Sequence, residues 1–223
     1  MVENRVNVPG YGIGESIYTS TRTLVYRGWR QADQTPVVIK LLKNAYPSLI
    51  ELAQFRNQYT IGKILNVSGV VHIYGLENCQ NRLALILEDF GGVSLKEYTA
   101  FRRKGLSETE NQENSSPLHP DFLIEFLQIA IALADILGDI YHHQIIHKDI
   151  KPANILINPT TKQVKLIDFS IASLLPRVTQ LSTSPTILEG TLAYLSPEQT
   201  GRMNRGIDYR TDFFEKRKLQ IQT

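Results

Sequence analysis

Cysteine is almost absent from this chain: Cys79 is the single one in 223 residues, alongside two methionines and one tryptophan. One thiol cannot close an intramolecular disulfide or furnish a cysteine-based zinc site, so a disulfide scaffold is excluded and a reducing compartment is expected. An excess of charge of either sign is lacking too. The 24 basic and 22 acidic residues leave a formal net charge of +2. The basic residues are dispersed except for Arg102-Arg103-Lys104 and Lys216-Arg217-Lys218, so charge gives no ground for a nucleic-acid partner. Long apolar runs are missing as well. The richest stretch, 123–141, is interrupted by Glu125, Asp135 and Asp139, which suits a buried amphipathic helix, whereas a bilayer span needs about 20 predominantly apolar residues. The first 14 residues have neither the basic start nor the apolar centre of a secretory signal. The expectation is a cytoplasmic protein with no membrane partner.

What is present is 42% hydrophobic and 21% charged content, the balance of a globular chain with room for one domain of two lobes or two small domains. Strand-like patterning runs through 11–42, where Tyr18, Leu24, Val25, Tyr26 and Trp29 stand among small polar residues and 36–42 form a compact β-branched run. Helical spacing replaces it at 49–65, with Leu49, Leu52, Phe55, Tyr59 and Ile64 on roughly one side. Two further strands are expected at 70–74 and 83–87. Gly91-Gly92 then breaks regular structure, and Ser94 suits the N-cap of a short helix through about Phe101. The stretch 102–120, rich in Glu, Asn, Ser and Pro, reads as a solvent loop, after which Asp121 caps the long apolar helix. A hairpin is expected from Ile155-Leu156-Ile157 and Val164-Lys165-Leu166-Ile167 around Asn158-Pro159-Thr160-Thr161.

The densest chemical signal is Ile146-His147-Lys148-Asp149-Ile150-Lys151-Pro152-Ala153-Asn154, followed after the hairpin by Ile167-Asp168-Phe169. Two acids, lysines and an asparagine gather on loops bordered by apolar strands. Phosphoryl transfer needs such a set, because a nucleophilic hydroxyl must be oriented while cations neutralise the charge on the transferred group. In order and spacing these motifs resemble the protein kinase family, from about residue 11 to residue 213.

The resemblance implies roles for individual residues. Asp149 would orient the substrate hydroxyl or accept its proton, and Asn154 would hold a magnesium ion. Asp168 in Asp168-Phe169-Ser170 would chelate magnesium at the nucleotide phosphates, and Lys40 in Val37-Val38-Ile39-Lys40 would contact the α and β phosphates of ATP. Lys151 resembles the lysine that serine/threonine kinases aim at the γ-phosphate. Thr191 in Gly190-Thr191-Leu192-Ala193-Tyr194 resembles the threonine of their substrate-docking loop. Both favour a protein substrate with Ser or Thr hydroxyls. Leu87-Glu88-Asp89-Phe90 looks like the hinge, with backbone groups near Glu88 and Phe90 meeting the adenine edge in the cleft. Ser196-Pro197-Glu198 stands where the activation segment closes, and Asp212 would brace the loop around Asp149.

The fold implied is α+β and two-lobed: a small antiparallel β N-lobe with one helix, and a mainly helical C-lobe that is incomplete. The boundaries expected are 1–90 for the N-lobe with the hinge strand, 91–214 for the partial C-lobe, and 215–223 for a tail outside the family pattern. The motif style is similar to kinase domains that open large bacterial proteins carrying an ATPase-like module and a sensor histidine kinase. On that reading the chain is truncated at the start of the central C-lobe helix, and the partners include downstream modules of a longer homologous chain.

Several positions depart from the family pattern. Its three loop glycines fall on Tyr18, Ser20 and Thr23, where the hydroxyls of Ser20, Thr21 and Thr23 either donate to phosphate or simply form a polar hairpin tip. Gln58 stands where a glutamate should pair with Lys40, and Glu51 lies about two helical turns away. Ser170 replaces a glycine and Lys148 an arginine, losing the bidentate fork. Thr179, Ser182, Thr183, Ser184 and Thr186 read either as modification sites or as linker. The family's basic partner for Glu198 is not found. His143 and His147 share helical spacing but lack a third zinc ligand. Two functions are therefore expected to compete: an ATP- and Mg2+-dependent serine/threonine kinase, and a pseudokinase-like module that binds nucleotide or partners without turnover.

Overall fold

The computed structural model describes residues 7–79, 81–109, 120–175, 190–201 and 206–222. The hydroxyls singled out at 179–186 lie outside them. The described residues fall into two compact units, one within Met1–Asn66 and Val71–Gly91, the other within Val67–Val70 and Gly92–Thr223.

The first unit is an antiparallel sheet of β1 (Tyr11–Thr19), β2 (Thr23–Arg30), β3 (Pro36–Leu42), β4 (Ile73–Cys79) and β5 (Arg82–Glu88), in the order β1-β2-β3-β5-β4. The period of two along β3 sends Val37, Ile39 and Leu41 to one face, where they form a core with Val8, Cys79, Ala84 and Ile86. Burial also raises the pKa of the Cys79 thiol, which suits an inert structural cysteine. Lys40 lies between these core positions, in register with Val25 and Leu85. β4 begins at Ile73, later than the strand expected at 70–74, because Val70 is drawn into a parallel bridge with Leu166 in the second unit's own fold.

Helix α1 (Leu49–Ile64) starts at a capping box: Ser48 Oγ accepts from the Glu51 N–H, and the Glu51 carboxylate accepts from the Ser48 N–H. Its buried stripe differs from the expected one. Leu49 and Ile64 are exposed, and the inward residues are Phe55, Gln58, Ile61 and Gly62. A polar residue at the centre of the stripe hides it from a hydrophobicity count. Gly62 is needed for close approach, since a Cβ there would lie 2.3 Å from Ile73 Cδ1.

The second unit contains β6 (Val93–Ser94), α2 (Leu95–Thr109), α3 (Pro120–His142), β7 (Ile145–Ile146), β8 (Ile155–Ile157), β9 (Val164–Leu166), β10 (Ser173–Leu174) and α4 (Arg210–Gln222). The expected β8–β9 hairpin forms, and Ser94 caps α2 through a second box with Glu97. α2 continues to Thr109, so 102–109 are helical where a loop was expected; the Arg, Lys and Leu residues there are good helix formers. α3 begins at Pro120, which tolerates the first helical position because no N–H is needed there, and Asp121 lies inside the first turn instead of capping it. Leu133, Ile136, Leu137 and Ile140 form the buried face of α3, while Leu123, Ile124, Leu127 and Ile131 on another face are exposed. Among the described residues no helix is long and apolar enough to cross a membrane.

The fully buried Ile39 gives the test of the sheet core. Ile39→Ala is expected to lower unfolding free energy by about 2–5 kcal/mol, measured by urea titration. A loss well below that range would mean this face is not the core.

Candidate functional site

The segment 147–154 leaves β7 and ends in a short 3-10 turn, Pro152–Asn154, before β8. Its conformation is held from outside by side chains. Asp212, near the start of α4 and 4% exposed, accepts the His147 N–H at 2.9 Å and the Lys148 N–H at 2.8 Å. Gln199 Nε2 donates to the Lys148 carbonyl at 2.8 Å. Lys148 needs this support because it adopts φ 66°, a left-handed conformation that costs a non-glycine residue about 1–3 kcal/mol. Burial raises the pKa of Asp212, opposed by His147, by the two N–H donors and by Lys148.

These constraints deliver Asp149 into a four-membered polar network. Lys151 Nζ donates to Asp149 Oδ2 at 2.6 Å, and Asn154 Nδ2 donates to the same oxygen at 2.9 Å. Thr191 Oγ1 donates to Asp149 Oδ1 at 2.8 Å and accepts from Lys151 Nζ at 2.7 Å. Thr191 reaches this point because Gly190 adopts φ +110° and lies against the loop, where a Cβ would stand 3.2 Å from the Lys148 carbonyl oxygen. The structure thus brings together Asp149, Lys151, Asn154 and Thr191.

Asp168 is fixed by backbone contacts on its preceding residue. The Ile167 N–H donates to the Asn154 carbonyl at 3.0 Å, and the Ile167 carbonyl meets His147 Nε2 at 3.0 Å. The His147 ring, fully buried, also accepts the Asp149 N–H at Nδ1, 3.3 Å away, so the tautomer that satisfies both contacts carries its hydrogen on Nε2. It stacks edge-on against Phe169 at 4.7 Å. His147 is structural, and His143 bonds the Asp139 carbonyl instead.

Among the described residues no group of three or more His, Cys, Asp or Glu could hold a metal ion. A magnesium site requires less, because that ion keeps several waters and uses one or two carboxylates plus substrate phosphates. The donor set here fits it. Both Asn154 Nδ2 contacts, to the Asp149 carbonyl and carboxylate, assign the amide nitrogen to that side, so Oδ1 is the atom that would serve as an oxygen ligand. Asp168 would supply the carboxylate.

The remaining expected residues belong to the first unit. Lys40 Nζ donates to Gln58 Oε1 at 2.8 Å, so the neutral amide does occupy the place of a carboxylate partner. Glu88 and Phe90 are half-buried at the end of β5. The Glu88 N–H donates to the His72 carbonyl, and Arg27 Nε binds Asp89 at 3.1 Å, tying the segment to β2. The Ser20 N–H donates to the Thr23 carbonyl, while its Oγ accepts from the Arg22 and Thr23 N–H groups, so its hydroxyl helps to close the β1–β2 turn.

Two features escaped the sequence reading. Glu198, left without a partner there, is buried and accepts the Thr211 hydroxyl at 2.8 Å. Glu215, assigned there to a tail, is fully buried within α4 and accepts the Ile150 N–H at 2.7 Å. Burial pushes its carboxyl up to about 8 against the pull of that N–H, with Asp212 and Asp149 raising it further. The available signal was its spacing of three from Asp212, which puts both on one helix face.

A family model described as protein kinase domain matches residues 13–215. Serine/threonine-protein kinase PrkC of Bacillus subtilis is 33% identical over 164 residues, which are 73% of this chain and 22% of that protein. Serine/threonine-protein kinase PknB of Mycolicibacterium smegmatis is 28% identical over 165 residues, 72% of this chain and 23% of that protein. Rust resistance kinase Lr10 of Triticum aestivum is 29% identical over 203 residues, 89% of this chain and 29% of that protein. The chain therefore spans about a quarter of the length of these relatives.

Asp212→Asn tests the loop's anchorage. The variant keeps the volume but turns an NH2 toward one of two backbone donors, and is expected to lose about 1–3 kcal/mol of stability in denaturant melts. Unchanged stability would show that the two bonds do not hold the loop.

Proposed function

The chain belongs to the protein kinase family, and on that footing we propose that it transfers the γ-phosphoryl group of ATP to a serine or threonine hydroxyl of a protein substrate. The observation that carries this reading is the Asp149 network. A carboxylate with both oxygens already engaged by Thr191, Lys151 and Asn154 is held in one orientation, as a base must be to aim a hydroxyl.

In the reaction the hydroxyl oxygen forms a bond to the γ-phosphorus as the bond to the β–γ bridging oxygen breaks, and ADP leaves with that electron pair. Asp149 orients the hydroxyl and takes its proton. Lys151, within 2.7 Å of both Asp149 and Thr191, places an ammonium where the transferred group gains charge. Lys40 serves the α and β phosphates, and backbone groups near Glu88 and Phe90 serve the adenine edge. Asn154 and Asp168 would hold magnesium, which when bound neutralises phosphate charge. A cytoplasmic setting belongs to the same reading and is supported by the single, buried Cys79.

One observation favours the second reading, a binding module without turnover. Lys40 is held by the amide of Gln58, and a neutral acceptor positions an ammonium more weakly than a carboxylate does.

Two measurements decide. Asp168→Ala is expected to reduce incorporation of labelled γ-phosphate by on the order of 10³-fold; undiminished incorporation would exclude the kinase reading. Gln58→Glu supplies the missing charge and is expected to raise the initial rate about 2- to 10-fold. If neither the native chain nor Gln58→Glu transfers phosphate while Mg-ATP still raises the melting temperature, the binding reading holds.

A further inference from the structure

We propose that Glu215 is a positioning residue for the transfer reaction, a second carboxylate strut beside Asp212 that fixes the peptide between Asp149 and Lys151 through the Ile150 N–H. Its kinetic consequence rests on the transfer activity proposed above, and its structural consequence does not.

The geometry is specific. Asp212 and Glu215 are three apart on α4 and both face the 147–151 backbone: Asp212 takes the N–H groups of His147 and Lys148, and Glu215 that of Ile150. Ile150 and Glu215 are each fully buried, so water offers that N–H no substitute. The peptide so held joins the carboxylate and the ammonium of the Asp149 network. Without the strut, Asp149 and Lys151 would reach Thr191 through an unanchored link.

The charged surroundings set the sign of a pH effect. Asp212 on the same helix and Asp149 on the loop push the Glu215 carboxyl upward, in addition to burial, while the Ile150 N–H and Gln199 pull it down. His147 and Lys148 reach the pair from the loop, and Glu198 lies on the segment that carries Gln199. In the closed loop Glu215 keeps its proton to about 8, whereas an opened loop returns it to the ordinary 4.5. Opening therefore releases a proton throughout that interval, and each added pH unit favours it about tenfold. The carbonyl oxygen of the protonated acid still accepts the Ile150 N–H, so the closed state is tightest in acid.

Amide hydrogen exchange at Ile150, measured on the full chain without nucleotide and corrected for intrinsic exchange, tests this directly. Protection of the native protein is expected to fall about hundredfold from pH 5.5 to 7.5. E215Q, which keeps an acceptor and cannot ionise, is expected to hold high protection with a shallower slope, the remainder coming from Asp212, and E215A to lose protection at Ile150. In steady-state assays E215A is expected to lower kcat about tenfold or more with KM for ATP within about twofold, and E215Q to restore kcat. A native slope that persists in E215Q, protection that survives in E215A, or an unchanged kcat in E215A would each overturn the proposal. Should E215A not fold, native against E215Q decides. An intact exchange pattern in a protein that transfers nothing upholds the strut and refutes the transfer reading.

Discussion

Three backbone N–H groups of one loop, those of His147, Lys148 and Ile150, point away from any helix or sheet ladder, and they need acceptors because His147 and Ile150 are buried and Lys148 is half-buried. Two carboxylates on one face of α4 provide them. The site's geometry depends on this arrangement more than on any apolar contact. A loop of this kind has no periodic hydrogen bonding to define it, and an unmet buried donor costs about 1–3 kcal/mol. Once those donors are met, the position of Asp149 is no longer adjustable, and Lys151, Asn154 and Thr191 assemble around it.

The same constraint explains where backbone strain is stored. Lys148 and Asp168 both adopt left-handed φ, at 66° and 67°, and each sits next to a residue or carbonyl pinned by another segment. The Lys148 N–H and carbonyl are both held, by Asp212 and Gln199. Asp168 follows Ile167, whose N–H and carbonyl are held by Asn154 and His147. Strain of this size persists only where the surroundings over-determine the conformation, and here the surroundings are the polar contacts that orient the functional side chains.

Legibility followed the range of the interactions involved. Strands β1 to β3, the β8–β9 hairpin and the cap at Ser94 are local patterns, and the residues 147–154 and 168 were readable because their chemistry is clustered in the chain. The α1 stripe was misread, since Gln58 faces inward to meet Lys40 eighteen residues away, and no hydrophobicity scale rewards a buried amide. Ser20 is open to two readings because a hydroxyl can serve a phosphate or its own turn, and the turn contact itself is visible only in three dimensions. Glu215 was assigned to a tail because charged, helix-exterior composition surrounds it; what buries it is a contact with Ile150, sixty-five positions earlier.

Asp212 and Glu215 are buried acids on one face of α4, and the backbone N–H groups of His147, Lys148 and Ile150 orient them. Neutral donors localise an acid without fully offsetting its desolvation, which is why Asp212 and Glu215 are both driven upward in pKa although backbone N–H groups hold them. The Asp149 carboxylate differs in having an ammonium, that of Lys151, at 2.6 Å. The acids are therefore held in two ways: Asp212 and Glu215, which shape the loop, by backbone N–H dipoles, and Asp149, the acid proposed to handle a proton, by an ammonium as well.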